Sequence, residues 1–272
     1  MSLLKLLKVM DDPLVSIIIP TKNSARTLSA CLDSIKNQTY KSMEIIVVDN
    51  NSTDNTKEIA KKYTDKVFNH GSERSAQRNF GAKQAKGKYL LIHDSDIYFN
   101  PDSVTEYVKL AEQENCDAVI LPERSIGRGY WTKVKALERS FYIGNDFIEA
   151  VRFFSKDIYN KIGGYDENLT GPEDWDLTIR LRECGCKIGR AKIFVEHDEG
   201  EIDLFGSSKK KKYYAKDVYG MYAKKHPEYF KKQMSFFVRF QIKKLIVNFI
   251  EHPLLTVSMF FMKGLELYNS RR

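Results

Sequence analysis

Cysteine is scarce in this chain. Of four cysteines, only Cys184 and Cys186 lie close together, and a single intervening residue is the wrong spacing for a redox dithiol or a zinc knuckle. A reduced, intracellular setting is therefore expected. Met1 to Met10 carries Lys5 and Lys8 inside a short apolar stretch without a small-residue cleavage site, so no secretory leader is expected. Long apolar runs are missing too. The longest uncharged run near the C-terminus, Pro253 to Met262, has ten residues, whereas a spanning helix needs about 20.

What is present suits a globular protein: 272 residues, 42% of them hydrophobic, are enough for one large core or for a domain with an appendage. Charge is unevenly placed. Glu201 to Arg272 holds 15 Lys+Arg against 6 Asp+Glu, leaving 29 basic and 30 acidic residues in the first 200 positions. The basicity belongs to the tail, which points to an anionic surface as its partner.

The first hundred residues alternate strand and helix. Val15 to Ile19 is a β-branched run that Pro20 is expected to end, since proline cannot donate to a central ladder. Leu28, Cys31, Leu32 and Ile35 follow at helical spacing, with Asn23 or Ser24 as N-cap. Glu44 to Val48 reads as a second buried strand, followed by a helix capped by Thr53 or Asp54 and bearing Ile59, Ala60 and Tyr63. A strand near Lys66 to Phe68, a helix from Ser75 to Ala85 with Gly87 as C-cap, and a strand from Lys88 to His93 complete the series. Such βαβ units imply a mainly parallel sheet with ligands beyond its carboxyl edge. Thr21 to Asn23, Asp49 to Ser52 and Asp94 to Asp96 all fall on that edge.

Asp94-Ser95-Asp96 carries the clearest chemistry. If the backbone stays extended past Ile92, both carboxylates share a side and can face one cation. Hard oxygen ligands suit Mg²⁺ or Mn²⁺ held together with nucleotide phosphates. By itself the triplet also fits a turn whose carboxylates cap backbone amides. Further on, Asp117 to Leu121 reads as a strand, Pro122 to Tyr130 as a loop, Trp131 to Asn145 stays unassigned, and Phe147 to Phe154 is a strand or a helix start. Gly163-Gly164-Tyr165-Asp166 precedes Gly171-Pro172-Glu173-Asp174-Trp175-Asp176, where Glu173 and Asp174 open a helix bearing Leu177 and Leu181. Arg190 to Val195 reads as a last strand ending at Glu196-His197-Asp198.

Taken in order, Val15 to Thr21, Val47 to Asp54, Arg78-Asn79-Phe80-Gly81, Asp94-Ser95-Asp96 and Gly164-Tyr165-Asp166 with Glu173-Asp174 resemble the signature of family 2 glycosyltransferases over about Leu14 to Asp198. The resemblance implies an α/β GT-A fold: a Rossmann-like, mainly parallel sheet flanked by helices, with a nucleotide half (about 14–100) continuous with an acceptor half (about 101–204). It implies a nucleotide-diphosphate sugar of UDP or GDP type, Mn²⁺ or Mg²⁺, and inversion at the anomeric carbon. Carried over by position, Pro20, Thr21 and Asn23 underlie the nucleotide, Asp49 meets the base, and Asn50, Ser52 and Ser95 join these contacts. Arg74 or Arg78 sits near base or diphosphate, Asp94 meets ribose or metal, Asp96 binds the metal, and His197 is a further metal or diphosphate contact. Asp174 is the general base, with Glu173 and Asp176 as competitors. No Gln-x-x-Arg-Trp motif of processive synthases occurs, so transfer of a single sugar is expected.

Residues 205–272 read as a basic, amphipathic helical extension. Lys209 to Lys212, Lys224-Lys225, Lys231-Lys232 and Lys243-Lys244 alternate with aromatics, and Phe249, Leu254, Leu255, Val257, Met259, Phe260, Phe261 and Leu265 follow. This composition fits an anionic membrane surface, and with it a peripheral place on the cytoplasmic face of the cell membrane and a lipid-linked acceptor. The competing reading packs these apolar residues on the catalytic domain. Nucleic acid is not expected as a partner. Two other functions compete with transfer. A sugar nucleotidyltransferase would carry a glycine-rich loop where this chain has Thr21-Lys22-Asn23, and a non-catalytic sugar-nucleotide-binding module would have no need of Asp96 and Asp174.

Overall fold

The computed structural model describes residues 12–204 and 218–271. Strands β1 (Val15–Thr21), β2 (Met43–Asp49), β3 (Val67–Asn69) and β4 (Tyr89–Ile92) alternate with helices α1 (Leu28–Lys36), α2 (Thr56–Lys61) and α3 (Arg74–Gln84). After β5 (Ile97–Tyr98) come α4 (Ser103–Gln113), β6 (Ala118–Ile120), β7 (Glu123–Arg128), α5 (Tyr130–Ser140), β8 (Val151–Ser155), α6 (Lys156–Lys161), α7 (Glu173–Glu183), β9 (Ile188–Arg190) and β10 (Val195–Glu201). Seven strands form one sheet in the order β3-β2-β1-β4-β8-β6-β9, in which only β8 runs antiparallel to its neighbours. Both expected halves thus share one sheet. A second sheet, β5-β10-β7, lies across the carboxyl edge of the first in chain order and carries His197.

The inner strands are apolar because helices cover both faces. Ile17, Ile19, Val47 and Leu91 pack with Leu28, Cys31, Leu32 and Ile35 of α1, while Ile18, Val48, Leu90 and Ile92 face α3 and Leu177 and Leu181 of α7. Helix α3 lies close on the sheet because of Gly81, where an added Cβ would fall 2.4 Å from the Ile18 side chain. That close seat brings Arg78, one turn earlier, beneath the edge.

Several boundaries differ from the sequence reading. β1 runs through Pro20 to Thr21. Its ladder with β4 stops at Ile18, so the missing N–H of Pro20 points to a side where no partner strand remains. Helix α1 begins only at Leu28, with Thr27 in place of Asn23 or Ser24 before it, and α3 ends at Gln84, with Ala85 in place of Gly87 as its C-cap. The stretch read as a loop, Pro122 to Tyr130, is mostly β7, and Gly127 is needed there because a Cβ would come 2.3 Å from the Gly200 carbonyl of β10. The unassigned Trp131 to Asn145 is mainly α5, and Arg190 to Val195 is not one strand: β9 ends at Arg190 and β10 begins at Val195. The charges of β7 hid its alternation.

Among the described residues, the C-terminal part forms α8 (Val218–Lys225), α9 (Pro227–Met234), α10 (Phe236–Phe240), α11 (Ile242–Glu251) and α12 (Pro253–Arg271). Met1 to Met10, Lys209 to Lys212, Tyr213 and Tyr214 lie outside the described residues. Tyr222 of α8 is fully buried against Leu169 and Ile179, and Phe240, Met259 and Met262 bury with Val134, Leu137 and Phe141 of α5. Met259, together with the partly buried Leu255 and Leu265, therefore faces α5 and not the outside. The opposite face stays bare: Ile246, Phe249, Ile250, Leu254, Val257 and Phe261 are exposed, Leu254 by 77%. Among the described residues no helix is long and apolar enough to cross a membrane.

Candidate active site

At the carboxyl edge the loops after β1 and β2 are laced together by hydrogen bonds among short polar side chains and backbone amides. Asn23, at φ 51°, accepts from the Thr53 amide at 2.9 Å and donates its own amide to Ser52 Oγ at 2.8 Å. The Asp49 carboxylate is buried and accepts from Thr21 Oγ1 at 2.9 Å and from the Ser52 amide and hydroxyl at 2.8 and 2.5 Å. Asn50 donates its side-chain amide to the Ser72 carbonyl, and Ser95 Oγ bonds Ser24 Oγ at 2.9 Å. Pro20 is buried in β1 beneath this edge. Short polar side chains gathered around the Asp49 carboxylate, which Lys57 approaches to 3.6 Å, hold the backbone in turns and leave a firm ledge.

Past Ile92 the chain does not stay extended. The Ile97 amide bonds the Asp94 carbonyl at 3.3 Å, closing a turn over Asp94 to Asp96. The shared-side expectation therefore fails, and the two carboxylates take different partners. Asp94 accepts from Arg78 Nη2 at 2.7 Å and lies 3.7 Å from Arg152. Asp96 Oδ2 lies 3.6 Å from His197 Nε2, while its Oδ1 is buried without a hydrogen-bond partner. His197 is not at a strand end: it sits within β10, paired to Ile97 and Ser125. Burial disfavours its cation, but the facing Asp96 carboxylate and the hydrogen bond to Glu123 override this and push its pKa up to about 10.

The turn before α7 brings the second acidic pair to the same place. Arg78, wholly buried, reaches Asp94 with one nitrogen and Glu173 and Asp174 with the other, at 3.3 and 3.2 Å. Desolvation of its guanidinium is outweighed by Asp94 and Asp174, so its pKa rises, and burial of Asp94 is likewise outweighed by Arg78 and Arg152, so that carboxyl titrates well below its ordinary range. Glu173 also accepts the Gly171 amide and lies 3.4 Å from Arg74, whose side chain is 44% exposed. Asp94, Arg74, Glu173, Asp174 and His197 line one cavity of about 360 Å³.

Asp176, two residues beyond Asp174, faces the other way. It is fully buried, holds Arg180 and His226 at 2.8 Å and Lys225 at 2.7 Å, and does not border the cavity. It anchors α8 to α7 and is no competitor for the base. The structure adds residues absent from the sequence reading. Arg152 of β8 grips Asp174, and Glu123 of β7 bonds His197 at 3.2 Å and Arg139 at 3.1 Å. Arg152 left one signal: a lone cation inside the apolar run Val151 to Phe154, since arginine is seldom buried unpaired. Glu123 left none, because its strand was not legible.

A divalent cation fits part of this cluster. The unpartnered Asp96 oxygen is a suitable donor, and the His197 imidazole would join it on giving up the proton that Asp96 and Glu123 hold there, although among the described residues no three such side chains gather closely enough to cage an ion. Such a pair suits an ion whose remaining ligands come from phosphate and water.

Comparison with known proteins agrees with this geometry. The chain is 32% identical over 189 residues to an uncharacterized glycosyltransferase of Rickettsia typhi, a match covering 62% of this chain and 59% of that protein. Among solved structures, Staphylococcus aureus TarS (residues 1–349) in complex with UDP-GlcNAc superposes with a TM-score of 0.57 at 22% identity, covering 71% of this chain and 61% of that one. A mannosyltransferase of Pyrobaculum calidifontis in complex with GDP-Man and Mn²⁺ superposes with a TM-score of 0.61 at 15% identity, covering 94% and 80%. This chain thus spans less than two thirds of the length of the Rickettsia relative. The α/β architecture is the GT-A fold, and with residues 16–170 matching its family description, the chain belongs to glycosyl transferase family 2.

Proposed function

We propose that this protein moves one sugar from a nucleotide-diphosphate sugar, of UDP or GDP type, to an acceptor hydroxyl, with inversion at the anomeric carbon. What carries the reading is Arg78, whose single guanidinium ties Asp94, at the end of β4, to Asp174, at the head of α7, at 2.7 and 3.2 Å. Acids about eighty positions apart thereby border one cavity.

In this reading the ledge of Thr21, Asn23, Asp49, Asn50, Ser52 and Ser95 over Pro20 receives the nucleoside. Arg74, the most exposed arginine of the cluster, meets the diphosphate. Asp96 and His197, with Asp94 beside them, would hold Mn²⁺ or Mg²⁺. When bound, such an ion supplies Lewis-acid stabilisation of charge on the departing diphosphate. Asp174 takes the proton from the acceptor hydroxyl as the new bond forms, and a single carboxylate suffices for inversion. Glu173, occupied by Arg78, Arg74 and the Gly171 amide, holds the turn that aims Asp174.

The test is release of nucleoside diphosphate from UDP- and GDP-sugars with Mn²⁺. No release from any donor, or exchange of pyrophosphate instead, would overturn the reading. The bare apolar face of α11 and α12 supports a further element: a lipid-linked acceptor met at the cytoplasmic surface of the cell membrane. Ile242, Ile246, Phe249, Ile250 and Leu254 lie outward, beside the exposed Lys243, as an interfacial helix requires. Co-sedimentation with anionic vesicles should fall sharply in the double variant Ile246→Glu, Ile250→Glu. Equal partitioning of the two proteins would discard the membrane element alone.

A further inference from the structure

Both oxygens of the Asp174 carboxylate are engaged. Oδ1 receives Arg78 Nη1 at 3.2 Å and Arg152 Nη1 at 3.1 Å, whereas Oδ2 receives Arg152 Nη2 alone, at 3.0 Å. Each carboxylate oxygen carries two lone pairs, and a hydroxyl that is to lose its proton to Asp174 competes for them with the guanidinium groups already holding the charge. The two arginines are not equally reachable. Arg78 is sealed away beneath the edge, while Arg152 borders the cavity. Withdrawing Arg152 would free Oδ2 completely and leave Arg78 holding Oδ1, so the base would be opened without losing its aim.

A phosphate group has the means to withdraw it. Arginine binds phosphate and carboxylate with the same bidentate fork, so trading one for the other keeps the number of charge-assisted hydrogen bonds. Arg152 is also poised to change partners: its Nε is buried without a hydrogen-bond partner, and Asp94 and Glu123 stand 3.7 and 3.8 Å from its Nη2. The same cavity is lined by Arg74, Asp94 and His197 on the donor side and by Tyr142 and, from the C-terminal helices, Arg239 and Lys263, while none of Thr21, Asp49 or Asp96 lines it. A phosphate arriving from the side of those helices belongs to the acceptor more naturally than to the donor.

We propose that Arg152 is the receptor for a phosphate group on the acceptor, and that this phosphate replaces Asp174 in the guanidinium fork and leaves Asp174 Oδ2 open to the incoming hydroxyl. The proposal rests on Asp174 acting as the base. It makes Arg152 a positioning residue, and it selects acceptors that carry phosphate close to the hydroxyl to be glycosylated. An acceptor without phosphate would find the base occupied.

The experiment uses the full chain, with inorganic phosphate as probe. In the wild type, phosphate should bind by calorimetry in the presence of Mn²⁺ and nucleoside diphosphate, and should stimulate donor hydrolysis with water as acceptor. Arg152→Gln should weaken phosphate binding by about tenfold or more and abolish the stimulation, with nucleoside diphosphate affinity within about twofold of wild type. Arg152→Lys, which keeps the buried charge and so the fold, should lose several-fold in phosphate affinity, because an ammonium lacks the fork. Loss of nucleoside diphosphate affinity with phosphate binding intact would place the oxyanion on the donor and overturn the acceptor assignment. Unchanged phosphate binding in folded Arg152→Lys, or a wild type that binds no phosphate, would overturn the proposal altogether. If the wild type binds phosphate but hydrolyses no sugar nucleotide, the base role fails while the receptor at Arg152 stands.

Discussion

Two regions of the carboxyl edge are built by opposite means. Around Asp49, loops are held by short neutral side chains and backbone amides whose hydrogen bonds close on one another. Around Asp174, three arginines and several carboxylates hold one another at the rim of a cavity. The first arrangement is finished before any ligand arrives. The second is a set of charged pairs that a charged ligand can exchange, which suits the place where charge is made and moved. In the proposed reading, a firm ledge and a charged cluster, side by side, divide binding from chemistry.

That division can be broken most forcefully at Asp174. We expect Asp174→Asn to reduce turnover by about a thousandfold or more while nucleoside diphosphate affinity survives, since only proton acceptance is removed. Retained turnover in a kinetic assay would move the role to Glu173. Asp96→Ala should lower the Mn²⁺-dependent part of nucleoside diphosphate affinity by about tenfold or more in calorimetry, by analogy with the loss of a metal-site group. An affinity that stays put would remove Asp96 from the cation site.

The ledge can be tested by leaving its donors without an acceptor. Asp49→Ala strips partners from Thr21 and Ser52, at a cost of about 1–3 kcal/mol for each buried group left unsatisfied. A lower melting temperature together with weaker nucleotide binding is expected. A variant as stable as the wild type would show that the ledge is not held by this carboxylate. The smallest effect concerns acid. Burial opposes ionisation of Glu123, but His197, Arg139 and Arg152 draw its pKa down to about 2 from an ordinary 4.5. A depressed carboxyl contributes stability that is whole above pH 4.5 and is lost as pH falls toward 2. Glu123→Gln should therefore flatten the acid limb of the stability profile in that window, as followed by denaturant melts. An unaltered limb would mean that its partners do not hold the Glu123 charge.

Much of the edge was readable in advance because its elements are local. Val15 to Ile19, Glu44 to Val48 and Tyr89 to Ile92 are apolar runs buried on both faces, and each is followed by its polar loop. The helical spacing of Leu28, Cys31, Leu32 and Ile35 matches α1, with all four residues buried. The acceptor side was harder to read. β7 carries Glu123, Arg124 and Arg128 with Gly127, and reads as a loop until β10 is laid beside it. The tail held two readings at once, and no short stretch of sequence tells them apart: Met259 and Met262 pack on α5, while Leu254 and Val257 remain outside.

Composition and order alone were enough to determine the parallel core and its polar carboxyl edge, because hydrophobic periodicity and turn chemistry act over a few residues. Which acid meets which base was decided only in three dimensions. Asp174 and Asp176 stand two apart on one helix, yet one faces Arg78, Arg152 and a cavity while the other is sealed against Arg180, Lys225 and His226. Their partners come from β8, α3 and the C-terminal helices, and a pairing across such distances in the chain exists only when the sheet and its covering helices have been assembled.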